Sequence, residues 1–361
     1  MSIRPANGLY QHSIDVILEN QNQTGAYLAS PTFPTYRYSW FRDGAYIAYA
    51  MGLVGEHESA GRFHEWAAGV VNRRELVVRG AVNKVAAGEA LGMEDVLHTR
   101  YSLEGGIGEE EWPNFQLDGF GTWLWALAEH LRASGLEISE VQRRAAQLVA
   151  EYLGALWRVP CSDCWEEFPD KVHTHTLAAI YGGLCATEGL LGVDHEEIRG
   201  EIRRYILEYN FEGGRFVKFD GAPEVDASLL GLALPYKVFE LDDPGLQATI
   251  EQIDSNLRVD GGGVHRYPTD TYYGGGEWVV LAGWLGWYYA EVGDEVRAME
   301  LLTWMEEQAD VKGDLPEQVP MTLNDETFYK PWRERWGDIA QPLLWSHANY
   351  LILARALGLG A

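Results

Sequence analysis

Apolar positions recur at helical spacing along most of the chain. Phe63, Trp66, Ala67, Val70 and Val71 fall on one such stripe, and Val141, Ala145, Leu148, Val149, Tyr152 and Leu156 on another. Alternation of the kind that marks a half-buried strand is scarce. Ser139 before Glu140 reads as a helix N-cap, and Gly135 as the stop of the preceding helix. This patterning predicts helices near 5–21, 41–54, 57–78, 118–134, 138–156, 171–190, 193–208, 225–234, 243–256, 276–291, 294–308 and 337–358, about twelve in all.

Twelve helices taken in sequential pairs suggest six helical hairpins closed into a ring, inner helices forming the core and outer helices covering them. The segment from Trp278 to Tyr289 is apolar all round, as an inner helix must be, whereas Asp194 to Asn210 carries the charged face of an outer one. No fixed repeat marks the pairs. The connections at 22–40, 79–117, 157–170, 258–275 and 309–336 are long and rich in Gly, Pro, Trp and Asp, unlike those of a plain bundle. Long polar and aromatic loops on a rigid scaffold are where sites are built. Nothing in the composition divides the 361 residues, so a single domain over 1–361 is expected.

Charge narrows the partners. With 28 basic against 54 acidic residues the net charge is −26, which argues against nucleic acid and anionic membranes and leaves a neutral ligand unaffected. No apolar run within Met1 to Asn20 suits a signal peptide, and nowhere do about 18 apolar residues follow one another, so a soluble cytoplasmic protein is expected. Cys161, Cys164 and Cys185 are too few and too clustered for a secreted disulfide framework. Cys161 and Cys164 have C-x-x-C spacing, but without a second pair the plainer expectation is reduced, structural thiols. His173 and His175, two apart on a helix, do not share a face, and no metal site is expected from them.

The candidate chemistry lies in short segments mixing tryptophan with acids. Hydrolysis of an acetal needs one carboxylic acid to protonate the leaving oxygen and one carboxylate to handle water or the anomeric carbon. Trp165-Glu166-Glu167 sets two acids beside an indole, where burial would raise a carboxyl pKa toward that of a useful acid, and Pro316-Glu317-Gln318 supplies a distant third. Trp40-Phe41-Arg42-Asp43 pairs a donor fork with an acceptor for adjacent hydroxyls. Gln116 and Asp118, after Trp112, offer further hydroxyl partners, although Asp118 also suits a simple N-cap. Arg266, Tyr267, Asp270, Tyr272 and Trp278 repeat the theme of a basic residue, aromatics and a flexible turn before a helix. Adjacent glutamates alone are ordinarily solvated surface, and many of the 14 tryptophans must be core, so only the whole set carries weight.

That set, Tyr36, Tyr38, Trp40, Arg42 and Asp43, then Trp112, Gln116, Asp118 and Gly119, then Trp165-Glu166-Glu167, then Arg266 through Trp278, then Glu317-Gln318, resembles in order the glucoamylase-type family of inverting α-glucoside hydrolases, glycoside hydrolase family fifteen. The resemblance implies an all-α (α/α)6 barrel, with Glu166 as general acid and Glu317 as general base. It implies that Arg42 and Asp43 hold the non-reducing glucose, that Trp40, Trp112 and Trp165 wall its pocket, that Tyr36 sits near the acid, and that Arg266 and Glu167 reach toward the leaving group. Gln116, Asp118 and Trp278 complete the expected substrate contacts. No cofactor or metal is implied. Two departures bear on linkage and chain length: Asn114-Phe115-Gln116-Leu117-Asp118-Gly119-Phe120 stands where the family usually has Arg-Pro-Gln-x-Asp-Gly-Pro, and Thr269 where an acid is common.

A barrel without a β-sandwich or starch-binding module suits short oligosaccharides, with isomaltose (α-1,6) favoured over maltooligosaccharides (α-1,4) or trehalose. Other readings of the same barrel are a phosphorylase, epimerase or lyase using His173 and His175, and a sugar-binding protein without catalysis.

Overall fold

The computed structural model describes residues 8–222 and 224–360. Among these residues thirteen α-helices and three two-residue ladders form an (α/α)6 barrel. The inner ring comprises α2 (Phe41–Leu53), α5 (Asp118–Ser134), α7 (Thr174–Leu191), the 3₁₀ segment Ala227–Leu232, α10 (Val279–Glu291) and α13 (Leu344–Ala356). Each packs on the next, and α13 closes the ring against α2. Around them lie α1 (Leu9–Glu19), α3 (His57–Asn72), α6 (Glu140–Leu156), α8 (Glu196–Tyr209), α9 (Pro244–Asn256) and α11 (Glu295–Glu307), with α4 (Glu75–Ala86) an additional outer helix.

Sequence pattern decides the layers. Every residue of α10 from Val279 to Tyr289 is buried, as an apolar-all-round helix requires, whereas α8 buries only Ile202 and Ile206. Ser139 caps α6 through a reciprocal pair with Gln142, and Gly135 ends α5 in the left-handed conformation, so both punctuation signals stand where the sequence puts them.

Several boundaries differ from expectation. The helix expected over 57–78 breaks into α3 and α4 at Arg73-Arg74, where Arg74 donates to Val70 O (3.0 Å) and to Gly105 O (2.8 Å), taking up backbone acceptors as the chain turns. The start of the expected loop 79–117 is consequently helical. The inner element expected over 225–234 is 3₁₀ rather than α. It approaches α7 so closely that a Cβ on Gly231 would stand 2.7 Å from His175 Nδ1. The last helix begins at Leu344 instead of 337, because Pro342 disfavours helix in the residue before it. An eight-residue helix, α12 (Tyr329–Trp336), lies inside the expected loop 309–336. Residues 5–7 of the expected first helix lie outside the described residues.

The inner helices begin at one end of the barrel, and two ladders sit there. β1 (Ser39–Trp40) pairs antiparallel with β2 (Arg100–Tyr101) and runs straight into α2. β5 (Glu277–Trp278) pairs with β6 (Gln318–Val319) and runs into α10, while β3 (Phe211–Glu212) and β4 (Arg215–Phe216) pair between α8 and α9. No helix among the described residues is long and apolar enough to cross a membrane.

Candidate active site

A cavity of ≈ 260 Å³ opens at the end of the barrel where the inner helices begin. Its lining includes Tyr36, Trp40, Arg42, Asp43, Trp112, Trp165, Glu166, Glu167, Arg266, Trp278 and Glu317, which are eleven of the thirteen residues expected to catalyse or to contact substrate. Gln116 and Asp118 stand behind this wall. Both are buried, and both accept from Arg42 Nη1, at 3.0 Å to Gln116 Oε1 and 2.9 Å to Asp118 Oδ2. They therefore set the guanidinium of Arg42 and are not on the cavity surface. Asp118 is the first residue of α5 and makes no cap with its side chain.

The first turn of α2 forms the deep end. Arg42 Nε lies 3.6 Å from Asp43 Oδ2, an oxygen with no hydrogen-bond partner of its own. Burial pushes the Asp43 carboxyl up to about 6, against the pull of Arg42. A buried acceptor without a partner beside a fixed cation matches a ligand with hydroxyl groups. The Trp345 indole, on the first turn of α13, lies 5.5 Å from the Arg42 guanidinium.

Glu166 owes its position to backbone strain. Its φ of 69° is left-handed, a conformation that costs a non-glycine residue about 1–3 kcal/mol and persists only where the surroundings hold it. They do so through Asp163, whose side chain accepts from the backbone N–H of Trp165 (3.0 Å) and Glu167 (2.8 Å). Lys218 pairs with Asp163 at 2.8 Å and with Asp226 at 2.9 Å, and Asp226 accepts the Trp165 indole N–H at 3.0 Å. Burial alone would raise Asp163, but the Lys218 ammonium, together with His173 and the hydrogen bond from the Glu167 N–H, outweighs it and holds the carboxyl below its usual range. The carboxylate of Glu166 accepts at Oε1 from Trp40 Nε1 (2.9 Å) and Gln116 Nε2 (3.2 Å).

Glu317 is fixed from the β5–β6 side. Its N–H donates to Ala340 O (2.9 Å) and its carbonyl accepts from Val279 N–H (3.3 Å). Tyr272 and Tyr36 form a hydroxyl relay (3.0 Å) that ends in a Tyr36 donation to Glu317 Oε1 at 2.9 Å. Glu317 Oε2 is buried and unpartnered. Burial pushes this carboxyl up to about 7, opposed by the Tyr36 hydrogen bond.

Aromatic groups join the two carboxylates. Tyr36 meets Trp40 edge-on at 5.6 Å, Trp40 meets Trp112 at 6.0 Å, and Trp165 meets Trp278 at 5.6 Å. Arg266 lies 5.4 Å from the Trp165 ring and 5.0 Å from the Trp278 ring, is held by Asp270, and reaches within 3.6 Å of Glu167. Glu167 also accepts from Tyr267 at 2.6 Å, and burial raises its carboxyl despite the nearby Arg266.

Other contributors escaped the sequence reading. Arg100 is buried under the wall, with its guanidinium 3.9 Å from the Trp112 ring and 5.3 Å from that of Trp40. Its segment reads only as loop. Trp345 falls within the helix expected over 337–358, where nothing in its spacing separates it from a tryptophan of the core, and Trp332, Arg335 and Trp336 belong to the unexpected α12. Asp163 sits between the two cysteines, which drew attention to the thiols instead. Those thiols are free and buried, and Cys164 touches the cavity. Burial pushes Cys161 up to about 12 and raises Cys164 as well, which keeps both protonated. His173 and His175 do not line the cavity. They meet Phe168 O and Ser228 O, each at 2.9 Å. Among the described residues, His12, Asp314 and His347 are close enough to share a cation, but they lie outside the cavity. Both His347 nitrogens are engaged, Nδ1 with Ser13 Oγ (2.9 Å) and Nε2 with Leu315 N–H (3.0 Å).

The family model described as glycosyl hydrolases family 15 matches residues 4–328. An isomaltose glucohydrolase of Kribbella flavida is 40% identical over 359 residues, spanning 97% of this chain and 93% of that protein. A solved wild-type glycosidase superposes with a TM-score of 0.93 at 40% identity, covering 97% of this chain and 96% of the other. A bacterial glucoamylase complexed with acarbose superposes at 0.72 with 21% identity over 98% of this chain and 56% of its own length, a likeness of fold.

Proposed function

The chain belongs to the glycosyl hydrolases of family 15, and from that premise we propose that it cleaves the α-1,6 bond of isomaltose and short isomaltooligosaccharides, releasing β-glucose from the non-reducing end. The observation that carries the proposal is that Glu166 and Glu317, 151 residues apart in the chain, face one cavity whose deep end is closed by Arg42 and Asp43. The α-1,6 preference is supported by the 40% identity to an isomaltose glucohydrolase, spanning nearly all of both chains.

In the proposed mechanism Arg42 and Asp43 fix the terminal glucose through its hydroxyls. Glu166, held by Trp40 and Gln116 through Oε1, gives a proton to the glycosidic oxygen from its other oxygen. Glu317, held by Tyr36 through Oε1, presents Oε2 to a water and removes its proton as the oxygen attacks the anomeric carbon from the opposite face. Single displacement then yields β-glucose and the shortened sugar. The proposal treats residues 1–361 as one catalytic unit acting on imported oligosaccharides in the cytoplasm, in keeping with buried free thiols and an acidic surface indifferent to neutral sugars.

Time-resolved NMR of the anomeric protons tests it with isomaltose, maltose and trehalose in parallel. Early β-glucose, fastest from isomaltose, is the expected outcome. Early α-glucose would overturn inversion, and faster release from maltose or trehalose would overturn the linkage preference.

A further inference from the structure

The proposed α-glucosidase reading gives the leaving sugar only Arg266 and Glu167, which are already ion-paired, and α12 supplies a further surface. Along the cavity, Arg42, Asp43, Trp345 and Glu317 are buried, whereas Trp332 and Trp336 are half-buried and Arg335 is exposed. The closed end thus holds the terminal glucose, and whatever is bonded to it points toward α12.

An isolated helix of eight residues is marginal in water, and α12 has no buried residue to anchor it. It is pinned by its aromatic face instead. Trp332 meets Tyr272 edge-on at 4.9 Å and stacks on Tyr273 at 6.2 Å, while Tyr273 OH donates to Gly337 O at 2.9 Å just past the helix end. Tyr272 is also the residue that donates to Tyr36 beside Glu317, so α12 and the catalytic carboxylate share one support. What remains are two partly open indoles and a guanidinium at the cavity mouth. Arg335 has no ion-pair partner among the described residues, and its guanidinium lies 4.9 Å from the Trp336 ring and 5.9 Å from that of Trp332. Arg266, by contrast, is committed to Asp270 and Glu167.

Resting on the α-glucosidase reading, we propose that α12 is the leaving-group platform: Trp336 and Trp332 take the apolar face of one neutral pyranose, and Arg335 donates to its hydroxyls. An indole is flat and weakly polar, which suits the C–H face of a sugar, and an unpaired guanidinium fork suits the hydroxyl edge.

Steady-state kinetics of Trp336→Ala and Arg335→Ala, with isomaltose and with α-D-glucosyl fluoride, test this, because the fluoride carries the same glucose but no second ring. The expected result is a loss of about tenfold or more in kcat/KM for isomaltose, with the fluoride within about twofold of the parent. Trp336→Phe, which keeps a flat ring, is expected to retain most isomaltose activity. Equal losses on both substrates, or no loss on either, overturn the platform. A parent protein that hydrolyses the fluoride but not isomaltose also overturns it, while leaving an α-glucosyl hydrolase. A parent that hydrolyses neither removes the underlying reading itself.

Discussion

Glu317 is the residue on which the chemistry turns most sharply. As the base it must be ionised, yet burial holds its carboxyl at about 7 in the free protein. Below that pH it carries a proton and cannot take one from water. The expectation is that kcat/KM rises about tenfold per pH unit as the pH approaches about 7, because this parameter reports the free enzyme. Asp43, pushed to about 6, steepens the limb below that value if its ionised form is the one that binds sugar. Tyr36→Phe removes the hydrogen bond that opposes burial at Glu317, so the limb should move to higher pH. A pH–rate profile that is flat from 5 to 8 would show Glu317 ionised throughout that range, against a carboxyl raised by burial. Glu166→Gln and Glu317→Gln should each lower turnover by roughly 10²–10⁴-fold. Glu166 was legible as a candidate because an acid beside tryptophan invites a site, and Glu317 only through the ordered set of motifs that carries the family resemblance. Asp163 and Lys218, which hold the Glu166 turn, were not, since a buried ion pair has no local sequence signal.

At the level of elements, the packing of α5 on α7 in the barrel core depends on missing side chains. A Cβ on Gly121 of α5 would stand 2.2 Å from Ala179 O of α7, and one on Gly183 would stand 2.7 Å from Gly121 itself. The backbones therefore touch, and α7 presents His173 and the turn carrying Glu166 in a fixed relation to α5. Gly121→Ala is expected to destabilise the protein by about 1–3 kcal/mol or more in chemical denaturation, since neither backbone can retreat. Gly80, in the outer helix α4, has nothing within 4 Å of its would-be Cβ. The same substitution there is expected to stabilise by up to about 1 kcal/mol, through helix propensity alone. Opposite signs from one chemical change would locate the constraint in the α5–α7 contact; equal signs would deny it. Helix positions were readable from periodicity, as with α5 and α10. The break between α3 and α4 was not, because it depends on acceptors at Val70 and Gly105 that only the folded chain brings to Arg74.

For the whole molecule, closure of the ring is the decisive fact. α13 packs on α2 and α1 packs on α13, so the two ends of the described chain belong to the same barrel seam. A ring that closes end on end should unfold as one unit. Activity and tryptophan fluorescence are expected to be lost over the same denaturant range, whereas two separated transitions would divide the chain into two units. Closure also sets the site, because the inner helices begin at one end and the β1–β2 and β5–β6 ladders lock Trp40 and Glu317 across it.

The sequence alone determined the helical class, the pairing of outer and inner layers and the identity of the two candidate carboxylates. The class, the layers and Glu166 are written in local spacing, as an apolar circumference for α10, an N-cap at Ser139 and an acid beside an indole, whereas Glu317 is marked only by the order of motifs along the chain. Only the tertiary structure decided that Gln116 and Asp118 serve Arg42 from behind, that Arg100 supports the tryptophan wall, and that α12 covers the mouth. Those roles depend on burial and on partners tens to hundreds of residues away. Periodicity reports which face of a helix avoids water, but not which group it meets there.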